Sequence, residues 1–216
     1  MLFRSNPIEG GTTPSYGMIR HTREKIGIKL YPIIRPRCGN YFYSDEEFEV
    51  MRQDILVCRE LKCDGISVGI SRQDGRVDTE RFKRIVEWAY PMGVTSNRVI
   101  DAAPDPYEAL DALIEAGCER VLTSGQRSSA PEGLEVLKKL VKQGDGRISI
   151  MPGAGVRSSN IEMLLASGAK EYHTSARVIV PNTVTHQNPD ILDTGHPVIC
   201  DGAELKKIME VLQKAQ

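Results

Sequence analysis

The chain has 216 residues, with 28 Lys+Arg against 29 Asp+Glu and a formal net charge of -1, so its overall charge draws it neither to nucleic acid nor to an anionic membrane surface. That length suits one large domain or two small ones with a substantial core, and no apolar run approaches the roughly 18 residues of a membrane span. The five cysteines, Cys38, Cys58, Cys63, Cys118 and Cys200, include no CxxC pair, and an odd number with no secretory leader reads as reduced thiols in the cytoplasm.

In chain order, "LFRS" at the start is the stub of a strand. "PIEGGTTPS" (7–15) follows it with a carboxylate, paired glycines and hydroxyls ahead of a helix over about 14–24. "KLYPIIRPR" (29–37) is a strand before a helix that Ser44 and Glu47 open as a capping box. Phe48, Met51, Ile55 and Cys58 fall at helical spacing along it. "DGISVG" (64–69) precedes a helix from Asp78, and "VTSNRVID" (94–101) precedes one opened by Asp105-Pro106, with Gly117 at its end. "RVLTSG" (120–125) leads to a helix carrying Leu134, Leu137 and Leu140 that stops at Gly144. "RISIMPGAG" (147–155) leads to one for which Ser159 and Glu162 spell a capping box. "EYHTS" (171–175) reads as the last strand, and Asp201 with Glu204 opens a terminal helix.

Strands alternating with helices at this spacing predict right-handed βαβ units and a parallel sheet. An open doubly wound sheet is the competing architecture. A TIM (β/α)8-type barrel is preferred because chemical residues follow nearly every strand, with one βα unit short of the full count. The expected organisation is a single domain over 1–216, with 178–200 an irregular loop before the C-terminal helix.

In such a barrel the site forms from the loops after the strands. Those positions hold Glu9, Arg35, Arg37, Arg98, Asp101, Ser124, Gly153, Gly155, His173, Ser175 and Arg177. Arginines bind carboxylate or phosphate bidentately, and Glu9, Asp101 and His173 are candidates for proton transfer. A ring of salt bridges tying the mouth together is the alternative use of the same charges. Arg35 and Arg37 are expected on one strand face by the period of two. Gly153 and Gly155 either bring backbone N–H groups to an anion or make a tight turn. No metal-ligand spacing occurs, and Cys38 is the thiol at the working face, of the soft kind that selects Cu(I). Cys58, Cys63 and Cys118 read as small hydrophobes.

The segments "EGGTTPSYG", "IRPRCGNYFYSDEE", "DPYEAL", "RVLTSG", "MPGAGV" and "EYHTSAR" together resemble the CutC family, named for copper homeostasis, most closely its animal members. The resemblance runs from Ile8 to Arg177 and implies a TIM barrel, copper binding as Cu(I), a cytoplasmic location with nuclear presence, and homo-oligomers. Family members carry a strand, a helix and most of a second strand ahead of the EGG loop, so this chain looks shortened, with Leu2-Phe3-Arg4 where relatives have Glu-Leu-Cys. Cysteines proposed as copper ligands in animal relatives belong to that segment. Two further positions depart from the pattern: Ser96-Asn97-Arg98 replaces Phe-His-Arg, and Arg37-Cys38-Gly39 replaces Arg-Gly-Gly. Two functions follow as expectations. One is a copper-binding protein, with Cys38 as a ligand. The other is a barrel enzyme acting on a small phosphorylated or carboxylated metabolite, with Glu9, Asp101 and His173 moving protons.

Overall fold

The computed structural model describes residues 1–7, 10–186, 188, 190 and 196–215. Six short strands lie side by side in chain order: β1 (Leu2–Phe3), β2 (Tyr31–Ile34), β3 (Gly65–Val68), β4 (Gly93–Ser96), β5 (Arg120–Thr123) and β6 (Ser149–Pro152). Each pair is parallel, with Gly65 to Val68 facing Gly93 to Ser96 and Arg120 to Thr123 facing Ser149 to Pro152. A doubly wound sheet reverses its strand order at a switch point. No reversal occurs here, so the sheet is the curled, barrel-type half of a TIM-like α/β fold.

Helices return the chain between strands: α1 (Tyr16–Lys25), α2 (Asp45–Glu60), α3 (Thr79–Ala89), α4 (Val99–Ala102), α5 (Pro106–Glu115), α6 (Leu134–Gly144) and α7 (Ile161–Leu165). Their starts follow local chemistry. Ser44 Oγ accepts from Glu47 N (3.2 Å) while Ser44 N donates to Glu47 Oε2 (2.9 Å), closing the capping box of α2. Asp78 caps α3, and Asp105 accepts from Tyr107 N and Glu108 N beside Pro106 at the start of α5. The capping box expected at Ser159 is not made. α7 starts after Asn160 without a side-chain cap, because Ser158 is held by Glu204, which accepts from its N (2.7 Å) and its Oγ (2.8 Å).

The strands β2 and β3 are buried along their whole length, which is why they read as unbroken apolar runs. Behind the sheet, Phe48, Met51 and Ile55 of α2, Phe82 and Ile85 of α3, Leu110 and Leu113 of α5, and Leu137 and Leu140 of α6 gather in one cluster. Each such side chain contributes about 1.5–3 kcal/mol by leaving water.

The expected last strand at 171–175 does not form a ladder. Its backbone makes one bond to the sheet, His173 N to Pro152 O (2.8 Å), and side chains do the rest. Glu171 accepts from Arg120 (2.6 and 3.0 Å) and from Ser149 Oγ (2.5 Å), and Thr174 Oγ1 donates to Val156 O (2.8 Å). On its other side a groove of about 760 Å³ lies between this segment and β1, lined by Met1, Phe3, Tyr172, Ile199 and Leu205 among others. Beyond it, 178–200 is not wholly irregular. β7 (Arg177–Ile179) and β8 (Val198–Cys200) pair antiparallel, and Asp201 then caps α8 (Gly202–Lys214). Among the described residues no helix is long and apolar enough to cross a membrane.

Candidate functional site

The C-terminal ends of the strands close around a pocket of about 170 Å³ whose floor is Leu2, Phe3, Ile33 and Leu122. Three arginines and a histidine rise from that floor: Arg4 just past β1, Arg35 just past β2, Arg98 after β4, and His173 beside β6.

Arg35 is 5% exposed and locked in place. Its Nη1 donates to Gly11 O (3.0 Å), its Nη2 to Gly39 O (2.7 Å), and its guanidinium lies 5.4 Å from the Tyr41 ring centroid. The backbone around it is tied as tightly, with Arg35 N donating to Thr13 Oγ1 (2.9 Å) and Thr13 N to Arg35 O (3.0 Å). The loop after β1 is therefore fastened to the end of β2. Ser5 and Thr12 exchange backbone bonds across that loop, and Gly11, at φ +98°, passes so close that a Cβ there would stand 2.6 Å from Arg4 Cδ. Only glycine lets Arg4 fold inward at this point.

Arg4 makes no hydrogen bond or ion pair among the described residues. Burial and the neighbouring Arg177 both push its pKa down. Unpaired cationic groups held half-buried and near one another are costly, and an anion between them removes that cost. His173 has its pKa lowered to about 4 by burial first and then by Arg4 and the N-terminal ammonium. It is neutral at physiological pH, able to donate or accept a proton without adding charge. Gly153 makes room for it: a Cβ there would lie 2.3 Å from Leu122 Cδ1 and 3.3 Å from His173 Cβ.

Arg98 is set by Asp101. The carboxylate, whose side chain is 7% exposed, accepts from Arg98 Nε (2.6 Å), Thr123 Oγ1 (2.6 Å), Ser124 N and Oγ (3.0 Å each) and Gln126 N (3.1 Å). Arg98 Nη2 also donates to Ser124 Oγ (2.8 Å). Asp101 thus ties α4 to the end of β5 and aims Arg98 at the pocket. This occupies its oxygens, whereas the sequence suggested a proton-transfer group.

The structure brings together Arg35, Arg98, Asp101, Ser124, Gly153 and His173 of the residues expected in the site. Arg37 goes elsewhere. It donates to Glu47 (2.5 Å) and Phe42 O (2.7 Å) and stacks 5.0 Å from the Tyr43 ring, so it braces the loop to α2. The period-two argument fails for it because β2 ends at Ile34. Cys38 sits half-buried in the same loop. Gly155 (φ +72°) turns the chain after β6, its carbonyl accepting from Asn160 Nδ2, while Ser175 and Arg177 line the larger groove. Glu9 lies outside the described residues. Arg4 was missed as a site residue, although it stands at a strand's C-terminal end just as Arg35 does.

A curled parallel sheet with its helices returning between parallel strands defines a TIM-barrel-type protein, and the arginine-lined pocket lies at the end of the strands where such folds usually carry their sites. The family model described as "CutC family" matches residues 3–178. A CutC family protein of Parabacteroides distasonis is 47% identical over 187 residues, covering 85% of this chain and 76% of the relative. One from Xanthomonas campestris is 45% identical over 208 residues, 95% and 87% of the two chains. The crystal structure of Streptococcus agalactiae CutC, named for copper homeostasis, superposes with a TM-score of 0.76 at 32% identity, covering 80% of this chain and 86% of that one. The chain belongs to the CutC family.

Proposed function

We propose that this CutC protein serves copper homeostasis, the role its family is named for, and that its mouth pocket binds a small carboxylate- or phosphate-bearing metabolite. One observation carries the pocket assignment: Arg4, Arg35 and Arg98 converge with a neutral His173 on a small cavity, and Arg4 has no anionic partner among the described residues. Arginine forks match carboxylate and phosphate oxygens, and the apolar floor weakens competition from water. In this reading Arg35 and Arg98 grip the anion, Asp101 positions Arg98, and His173 is the group able to exchange a proton with the bound ligand. Ser124 acts through Arg98. If a reaction is catalysed, it is proton transfer on that anion, with Glu9 as a further candidate.

Copper calls for a different set of donors. Among the described residues no three His, Cys, Asp or Glu side chains gather as metal ligands. At this end of the sheet Cys38 supplies one soft donor, and the arginines around the pocket repel a cation. The mouth pocket therefore fits an anion and not a metal centre. The reading extends to one domain working as a homo-oligomer in the cytoplasm and nucleus, consistent with the absence of a disulfide among its five cysteines.

A thermal-shift screen of phosphorylated and carboxylated metabolites tests the pocket. A stabilising ligand whose effect disappears in Arg98→Gln supports it. No stabilisation by any anion, or an effect that Arg98→Gln leaves intact, contradicts it.

A further inference from the structure

Two neutral side chains in the mouth pocket keep a hydrogen-bonding atom that the fold does not use. Asn97 follows β4 and is 5% exposed, and Ser67 in β3 is 3% exposed. Both line the pocket together with the arginines. Asn97 is held rigidly: its N donates to Val68 O (2.8 Å), and its Oδ1 accepts from Val99 N (3.1 Å). A backbone N–H on the oxygen settles which way the amide faces, so the other end is the NH2. Gly69 makes this pose possible, because a Cβ there would stand 2.0 Å from Asn97 Oδ1 and 3.0 Å from its Nδ2. Asn97 Nδ2 and Ser67 Oγ make no hydrogen bond among the described residues, and neither atom is sealed from solvent. The space they open on is the pocket.

The strand register sets these groups beside the arginines. Ile34 pairs with Val68 and Val68 with Ser96 across β2, β3 and β4. The residues one step on, Arg35, Gly69 and Asn97, therefore form the next row toward the mouth. Gly69 leaves its place in that row open, and the Asn97 amide lies over it. Arg98 follows Asn97 directly in the chain. Ser67 belongs to the preceding row on the same face, between Ile33 and Thr95.

We infer that the pocket is a site for a small α-keto acid, with Asn97 as the residue that selects its keto oxygen. This deepens the anion reading of the pocket and rests on it. The arginines match the two oxygens of the carboxylate. Asn97 Nδ2 is an uncharged donor, and a keto oxygen is an uncharged acceptor, so the two are complementary. Ser67 Oγ is a further hydroxyl on the same face. A plain alkanoate of equal length would satisfy the arginines but set a methylene against the amide NH2, and a buried donor left without a partner weakens binding. The pocket's volume of about 170 Å³ keeps the second oxygen near the acid, on the adjacent carbon.

The test compares pyruvate with propionate, which differ by a keto oxygen against two hydrogens, in calorimetric titrations at fixed pH and ionic strength. The parent chain should bind pyruvate at least about tenfold more tightly than propionate. Asn97→Asp keeps an oxygen for Val99 N, and so keeps the local fold, but replaces the donor with an acceptor. Its charge weakens both acids, so the ratio of the two affinities is the readout, and it should fall to about one or below. Asn97→Ala should lower the same ratio while propionate binds as it does to the parent, and Ser67→Ala should lower it by a smaller factor. Circular dichroism checks that each variant is folded. Equal affinities for the two acids in the parent, or a ratio that Asn97→Asp and Asn97→Ala leave unchanged, would overturn the inference and leave the anion pocket standing. No binding of either acid to folded parent protein would overturn the anion pocket, and this inference with it.

Discussion

Asp101→Asn is the substitution that most directly probes how the pocket is built. The side chain keeps its size but exchanges one acceptor oxygen for a donor, in a place where five groups donate to it. One amide oxygen retains Thr123, Ser124 N and Gln126. The new NH2 then faces Arg98 Nε at 2.6 Å, where two donors cannot pair. A hydrogen bond to a charged group contributes about 1.5–3 kcal/mol, and removing one partner of a fully buried ion pair costs about 3–5 kcal/mol. Arg98 is 39% exposed on its side chain, so water recovers part of that loss. The expected destabilisation is about 2–3 kcal/mol. With a urea m-value of about 2–3 kcal/mol/M, the midpoint falls by about 1 M and the slope is unchanged. Anion affinity should fall with it, about tenfold, because Arg98 no longer points into the pocket. A midpoint shift below about 0.2 M, or full anion affinity in Asp101→Asn, would refute the positioning role.

Other consequences follow from the same geometry. His173 has its pKa depressed to about 4 from 6.5 in the fold. The unfolded chain therefore holds the proton more readily, and stability that is complete above pH 6.5 declines as pH falls toward 4, by about 3 kcal/mol. His173→Gln should flatten that decline in denaturation curves at several pH values, whereas a histidine that titrates near 6.5 by NMR would contradict it. Gly133→Ala would put a Cβ 1.9 Å from Ser124 O, a backbone atom that cannot step aside. A loss of about 3 kcal/mol or more, with the Ser124–Asp101–Arg98 linkage disturbed, should appear in thermal unfolding. Arg35→Lys keeps the charge but reaches only part of the contacts to Gly11 O and Gly39 O. Anion binding should weaken about tenfold or more in a titration, with the fold retained by circular dichroism.

Much of the architecture is legible in local signals. The capping box at Ser44, the caps at Asp78, Asp105 and Asp201, and the apolar runs of β2 to β6 all stand where the residue pattern puts them. The failures occur where a distant partner decides. "EYHTS" has a strand's composition, but a strand is made by its neighbours, and this segment makes one ladder-like bond to β6 and faces a groove on the β1 side. Ser159 and Glu162 have capping-box spacing, yet Glu204 from α8 takes the Ser158 N–H and reorganises the turn. Strand-end position singles out Arg35, Arg98 and His173, which line the mouth pocket, but could not tell that Arg37, two residues past Arg35, would turn back to Glu47.

The most direct test of the central claim, an anion site at the strands' C-terminal ends, is a calorimetric titration of inorganic phosphate into the parent chain and Arg98→Gln at fixed ionic strength. The account predicts saturable binding to the parent that competes with small carboxylates and is lost in Arg98→Gln. Phosphate that produces no saturable heat with folded parent protein, or that binds both chains alike, would contradict it.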